Sequence, residues 1–438
     1  MTTLINLCTN PAFISIILLC ILCVRKINVL LAIIISTLAA GYAAGLNSTH
    51  IMNTFISGMG GNSETALSYI LLGAFAATMA HSGFTDVISN KITGFVKGKK
   101  MLLLTILTLI AMASQNIVPI HIAFIPIIIP PLLGIMNKLQ IDRRAVACVL
   151  AFGLKMPYIV IPAGFGLIFQ NLIADNMVQN GVNIARGDIW KDTLILGIGM
   201  LAGLLISVFI TYRKPRIYED KKVLTENTGD SKFLPKHWLV ILAAVVTFVV
   251  QLITKSLPLG ALVGLGIIFS FKVIPQDKMD HMMNEGVYLM GYIAFVMLVA
   301  AGFADVLKET GAIEHLVNTI LPLLPENIYI TSLIILIIGL FITIGIGTSF
   351  GTIPILAVLF IPVCLKQGFN VPQMVVLLAA AAALGDAGSP ASDTTLGPTS
   401  GLNADGQHNH IYDTCIPTFL HYNIALILFA LLGIWLFH

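Results

Sequence analysis

Asp386 and Asp393 are acids in a place where acids are costly. They lie in Gly385-Asp386-Ala387-Gly388-Ser389-Pro390-Ala391-Ser392-Asp393-Thr394-Thr395-Leu396-Gly397-Pro398-Thr399-Ser400, directly after an almost pure Val, Leu and Ala run from Val375 to Leu384. That run puts the stretch at or near membrane depth. An unpaired polar group in hydrocarbon costs several kcal/mol, and broken backbone survives there only inside protein or along a wet cavity. Yet the stretch holds two carboxylates, six hydroxyls, three glycines and two prolines. Glycine and proline unwind the helix, and the freed carbonyls and side-chain oxygens make a hard-oxygen nest suited to a small cation. Asp393, within Ser-Asp-Thr-Thr, reads as the leading cation ligand. Asp386 reads as the second, or as the cap of a half-helix. Ser389, Ser392 and Thr394 complete the cation set. If the stretch is helical, Asp386, Ser389 and Asp393 stand at i, i+3 and i+7 and share a face.

Other polar residues at depth could meet an organic solute. A second break runs from Lys155 through Pro157, Tyr158 and Pro162 to Gly166 and contains no acid. Gln115, Asn116 and His121 mark one polar joint between apolar segments, and Thr348, Ser349 and Thr352 mark another. From these, Gln115, Asn116, Lys155, Tyr158, Thr348, Ser349 and Thr395 are the candidate solute-binding residues. Lys155 is the one basic residue that fits no loop. A lone ammonium in the bilayer costs ~3 kcal/mol on insertion scales, so it needs a partner or water. It is expected to face one of the two acids, as a coupling group or in a fixed ion pair, or else to snorkel to the cytoplasmic face. His408 and His410 with Asp413 read as a solvated loop, and His81 and His315 receive no role. The six cysteines show no pairing pattern and read as core packing. No cofactor is expected, and no metal beyond a transported Na+ or H+.

These residues need elements to hold them, and the composition says which. Hydrophobic residues make up 57% and charged residues 10%, which describes an all-α polytopic membrane protein. A net charge of +3 does not suggest nucleic acid; the lipid bilayer and a small solute are the expected partners, with a homodimer possible. The start of the chain has no basic residue before its apolar run, so it reads as a retained transmembrane helix. Apolar segments recur throughout, several shorter than the ~20 residues a crossing needs. Segments 101–115 with 119–135, and 328–346 with 350–365, are either paired crossings or re-entrant hairpins, and polar tips favour hairpins.

The chain also repeats at an offset of 228: Gly58 with Gly286, Phe75 with Phe303, Ile125-Pro126-Ile127 with Ile353-Pro354-Ile355, and Pro162-Ala163 with Pro390-Ala391. Each half has an odd number of crossings, which makes the two repeats inverted. Inverted repeats with broken helices describe a secondary transporter. Repeat 1 spans 1–220, a polar linker 213–236, and repeat 2 spans 237–438. With both termini outside a bacterial cytoplasmic (inner) membrane, 18 lysines and arginines fall in inner loops and five in outer ones, with Lys155 making up the 24.

From Gly385-Asp386 through Ser389-Pro390-Ala391-Ser392-Asp393-Thr394-Thr395, and again at Phe124-Ile125-Pro126, the chain resembles the NhaC-type sodium/proton antiporter family of the wider ion-transporter superfamily. That family includes amino-acid carriers of histidine permease-like type. The resemblance implies that Asp393, Ser389 and Ser392 sit in the cation or substrate site. The neutral polar joints fit simple cation exchange less well. Two functions follow as expectations: an Na+- or H+-coupled carrier of a small organic solute such as an amino acid, working by alternating access, or an Na+/H+ antiporter without organic solute. An enzyme is not expected. An intramembrane aspartyl protease needs two carboxylates from different helices sharing a proton, and no second segment offers a deep Asp.

Overall fold

The computed structural model describes residues 9–25, 27–84, 87, 91, 94–96, 98–116, 124–219, 233–254, 256–313, 315, 319 and 325–438. His121 and linker residues 220–232 lie outside them. Every regular element among the described residues is helical. In the first half these are α1 (Pro11–Val24), α2 (Val29–Ala43), α3 (Ser48–Met59), α4 (Ser63–His81), α5 (Lys100–Asn116), α6 (Ile125–Lys138), α7 (Arg143–Val160), α8 (Phe165–Gln179) and α9 (Ile189–Ile206). In the second half they are α10 (Pro235–Thr254), α11 (Leu257–Ser270), α12 (Met279–Glu309), α13 (Ile328–Ile346), α14 (Ser349–Lys366), α15 (Val371–Ala383), α16 (Asp393–Leu402) and α17 (Ile424–Leu436). Side-chain caps start many of them: Asn10, Asn28, Asn47, Asp142, Asn327 and Asn370 each accept from a first-turn amide. These caps satisfy donors that the helix cannot.

The two halves share one plan. Val29 and Leu257, Lys100 and Ile328, Arg143 and Val371, and Phe165 and Asp393 all begin helices, and the members of each pair stand 228 residues apart, the separation of Tyr158 and Asp386. Packing repeats as well. A Cβ on Gly153 would lie 2.3 Å from Ala111 Cβ, and one on Gly339 would lie 2.7 Å from Ala381 Cβ. These are the same two positions with glycine and alanine exchanged, so α5 meets α7 as α13 meets α15. Small residues let membrane helices approach this closely. Between halves the contacts are reciprocal: α8 packs on α14, and α16 packs on α6.

Stretches 186–211, 290–309, 328–346, 349–366 and 410–436 are each long and apolar enough to cross a membrane. So α13 and α14 have the length for two crossings. Their joint, however, rests at the second break: a Cβ on Gly347 would lie 3.2 Å from Ala391 O. The first break bends the chain by 48° between α7 and α8. It lies at Ile161–Gly164, inside the stretch Lys155–Gly166 read from sequence and narrower than it, because Pro157 is accommodated inside α7. The second break is the non-helical stretch 384–392 between α15 and α16. The stretch is unwound as expected at Asp386 and Ser389, so the helical condition under which they would share a face with Asp393 is not met.

Loops assigned to one side by charge meet one another. Arg143, wholly buried, donates to both oxygens of Asp405 at 2.6 Å and to Asn137 Oδ1 at 2.9 Å. Arg216 pairs with Asp413 at 2.7 Å, and Lys100 Nζ donates to Arg213 O at 3.3 Å. On the other side His50 meets Glu309 at 3.3 Å and Gln367 donates to Pro325 O at 3.1 Å. The solvated loop expected around His408 is corrected here. His408 is buried, its Nε2 2.7 Å from Thr414 Oγ1, and burial pushes its imidazole down to about 3. The Arg143–Asp405 and Arg216–Asp413 pairs tie the segment to the start of α7 and to residue 216.

Candidate cation site

Asp386 is the hub where the two breaks meet. Its carboxylate is almost wholly buried, and each oxygen serves a different part of the chain. Oδ2 accepts from Lys155 Nζ at 3.2 Å, Tyr158 OH at 3.1 Å and Ser349 Oγ at 2.9 Å. Oδ1 accepts from Ser392 Oγ in a very short contact and from Thr394 Oγ1 at 3.3 Å. Lys155 has no exposed side-chain surface, so the pair is a desolvated one in which each partner is the other's counter-charge. Asp393 opens α16 beside it and is partly exposed. Ser392 Oγ and Thr394 Oγ1 also lie 3.4 and 3.3 Å from Asp393 Oδ1, so two hydroxyls bridge two carboxylates.

Local backbone chemistry fixes this arrangement. Gly385 has φ +83°, and a Cβ there would lie 2.6 Å from Leu340 O, so both conformation and space require glycine. Asn423 clamps the loop from α17's approach, accepting from Gly385 N at 3.2 Å and donating to Ala387 O at 2.8 Å. His410 Nε2 lies 3.0 Å from Pro390 O. At the first break Asn116 Nδ2 spans three carbonyls, Pro157 O at 3.3 Å, Ile161 O at 3.2 Å and Ala163 O at 2.9 Å. Each of these carbonyls also accepts a backbone N–H, from Ile161, Ala163 and Gly166 in turn, so Asn116 adds a second donor and ties the end of α5 to the break.

The residues singled out from sequence therefore divide. Asp386, Asp393, Ser392, Thr394, Lys155, Tyr158 and Ser349 come together. Ser389 does not point at the carboxylates: its hydroxyl donates to Ile344 O at 3.1 Å and ties the loop to α13. Thr395 likewise donates to Ser389 O at 2.5 Å and Ser392 O at 3.0 Å. Asn116 is spent on the first break. Gln115 is buried one residue earlier, and Thr348 stands partly exposed at the start of α14. Asp386 holds the buried centre, and Asp393 stands partly exposed beside it. Asp386 is no helix cap, because Ser392 caps α16 through Thr394 N at 3.1 Å.

Sequence reasoning missed four contributors. Tyr69 on α4 donates to Asp393 Oδ2 at 3.5 Å. Asn423 was visible as a lone amide ahead of an apolar run. Phe169 and Phe350 flank the Tyr158 ring at 5.0 and 5.4 Å between centroids, and nothing in an apolar sequence distinguishes them from ordinary core residues.

The sequence model of the Na+/H+ antiporter family matches residues 149–434, and a second Na+-H+ antiporter family model matches residues 10–96. An uncharacterized membrane protein of Vibrio parahaemolyticus is 44% identical over 434 residues, covering 96% of this chain and 98% of its own. A Bacillus subtilis protein named "Putative amino acid transporter YuiF" is 46% identical over 402 residues, covering 88% of this chain and 90% of its own. Among solved structures, the YdaH transporter of Alcanivorax borkumensis is similar with a TM-score of 0.46 and 12% identity, over 89% of this chain and 88% of its own. The first of these matches runs from within α7 to the end of α17 and so takes in both breaks, Lys155 and the two acids; the chain belongs to the Na+/H+ antiporter family of membrane transporters.

Proposed function

We propose that this protein is a secondary active transporter, Na+- or H+-coupled, that moves a small organic solute such as an amino acid by alternating access. The observation that carries the reading is the buried Lys155–Asp386 pair, 3.2 Å apart, at the meeting of the two breaks. With Asp393 beside it, the site has one carboxylate in excess, and two hydroxyls add neutral oxygens suited to a hard cation. A cation arriving at Asp386 Oδ1 takes over the counter-charge that Lys155 supplied. The ammonium is then unpaired in a dry site, and releasing its proton returns the site to the net charge it had before the cation arrived. One cation enters and one proton leaves, so the two fluxes are linked through one carboxylate. An amino acid presents an ammonium and a carboxylate together, and Asp386 and Lys155 offer it both counter-charges, with Tyr158 and Ser349 as neutral partners. The name carried by YuiF points to the same solute class.

In this reading the halves are inverted repeats, 1–220 and 237–438, joined by the 213–236 linker. Both termini lie outside a bacterial cytoplasmic membrane and the joint 328–365 is re-entrant; the tip of the matching 101–135 joint lies outside the described residues. The second function is Na+/H+ antiport without organic solute, favoured by the family match itself. Proteoliposome uptake of labelled amino acids and carboxylates, with and without a sodium gradient, separates the two. Sodium-dependent uptake of one solute is expected. Sodium/proton exchange indifferent to every solute would establish the second function instead.

A further inference from the structure

Away from the carboxylate centre, one cluster of ligating side chains has no part in the transport reading. His81 closes α4, and His281 and Glu285 stand one turn apart near the start of α12. His81 Nε2 is 2.8 Å from Glu285 Oε2, and His281 Nε2 is 3.9 Å from the same oxygen. The three ligand atoms all lie within 4.8 Å of one another. We propose that His81, His281 and Glu285 form a divalent transition-metal site, with zinc the best fit, that staples the end of α4 to the start of α12.

The donor set selects the ion. Two imidazoles and one carboxylate suit zinc, whereas calcium and magnesium take oxygen alone. His281 and Glu285 are i and i+4, which puts both on one helix face, and His81 reaches them from another helix. A hydrogen bond between His81 and Glu285 would need only two of these residues. His281 is the third, and its ring lies 5.6 Å from that of His81 in an edge-on arrangement. Side chains of His81, Glu285 and His281 are 38, 32 and 66% exposed, so an ion can enter and the exposed rings can swing inward. A fourth position stays open to water.

The position gives the staple a purpose. A Cβ on Gly286 would lie 2.3 Å from Ala74 N, so α4 and α12 cross with almost no space between their backbones. The metal would sit next to that crossing. Tyr69, twelve residues before His81 on α4 and so about 18 Å along it, donates to Asp393. An ion at His81 would hold the helix that carries Tyr69 against its neighbour.

The test uses the untagged full-length chain in detergent and zinc or cobalt alone, independently of any transport measurement. Zinc should bind one per chain and raise the unfolding temperature, since an ion held by the native fold stabilises it. Cobalt should give the visible absorption of a tetrahedral site. His281→Ala should weaken zinc binding by more than the roughly 10–100-fold that loss of an outer partner costs, and should abolish the thermal shift. Glu285→Gln gives the same test if His281→Ala does not fold. Zinc binding and thermal shift unchanged in either folded variant would overturn the proposal and assign the ion to other histidines.

Discussion

Tyr158 donates to Asp386 Oδ2 at 3.1 Å across 228 residues of chain, the same interval that separates matching helix starts in the two halves. Positions matched by that interval therefore meet at the carboxylate, and one half contributes a phenol where the other contributes the acid.

Tyr158→Phe keeps the ring against Phe169 and Phe350 and removes one hydrogen bond to a charged group. Such a bond contributes about 1.5–3 kcal/mol, so the concentration of coupling ion needed for half-maximal uptake should shift by roughly 10–100-fold. An unshifted ion dependence would leave Tyr158 as packing.

Asp386→Asn should abolish ion-coupled uptake, while Asp393→Asn should retain part of it. Asp386 is buried and holds five side-chain donors, whereas Asp393 is partly exposed. Uptake by both variants in proteoliposomes decides the order; a fully active Asp386→Asn would remove the centre assigned here.

Lys155→Ala leaves Asp386 charged and buried without its counter-charge, which costs about 3–5 kcal/mol in comparable pairs. Expression and unfolding temperature should fall, and Lys155→Ala combined with Asp386→Asn should recover much of both. If Lys155→Ala folds, the pH dependence of uptake should flatten, because the proton that leaves no longer has a carrier.

The Arg143 face should be acid-labile. His408 titrates near 3 in the fold because burial disfavours its charge, and in the unfolded chain near its ordinary ~6.5. The unfolded state thus binds more protons between those values, and stability falls as pH drops below ~6.5. Burial opposes the Asp405 charge, but the Arg143 hydrogen bonds win and hold its carboxyl below the ordinary range, so its contribution is present at higher pH and lost as pH falls through that lowered value. Unfolding temperatures from pH 7 to pH 4 should decline, and His408→Gln should flatten the decline.

Single cysteines at Lys99 and Gln407 should label from the same side, since the structure draws together Lys100 with Arg213 O, and Glu219 with Gln407. Labelling intact cells should fail at both and succeed after permeabilisation. Opposite sidedness would contradict the arrangement of loops.

Much of this was legible because glycine, proline and buried charge leave marks that composition cannot hide. A break beginning at Gly385 and the isolation of Lys155 followed from residue type, although the second part of the stretch, from Asp393, is helix α16; an unplaceable lysine with few deep acids near it nearly names its partner. Which acid lies deeper was not legible, because burial is set by neighbours distant in sequence: Ser349 and Tyr158 seal Asp386, while Asp393 stays partly exposed. Ser389 and Thr395 misled for a related reason. A hydroxyl beside a broken helix serves a ligand or a freed carbonyl equally well, and only the fold says which. Arg143 looked like one more loop cation because the loop that buries it, around Asp405, comes 262 residues later.

The reciprocal packing of α8 on α14 and α16 on α6 also bears on biogenesis. A ribosome delivers the first half while the helices that α6 and α8 must embrace are still unmade. Those early helices enter the bilayer with incomplete partners and wait, so maturation cannot proceed as one finished domain after another. Cutting the gene at the linker should then yield two fragments that are each short-lived alone and that rescue each other when made together, interlocking as clasped hands do.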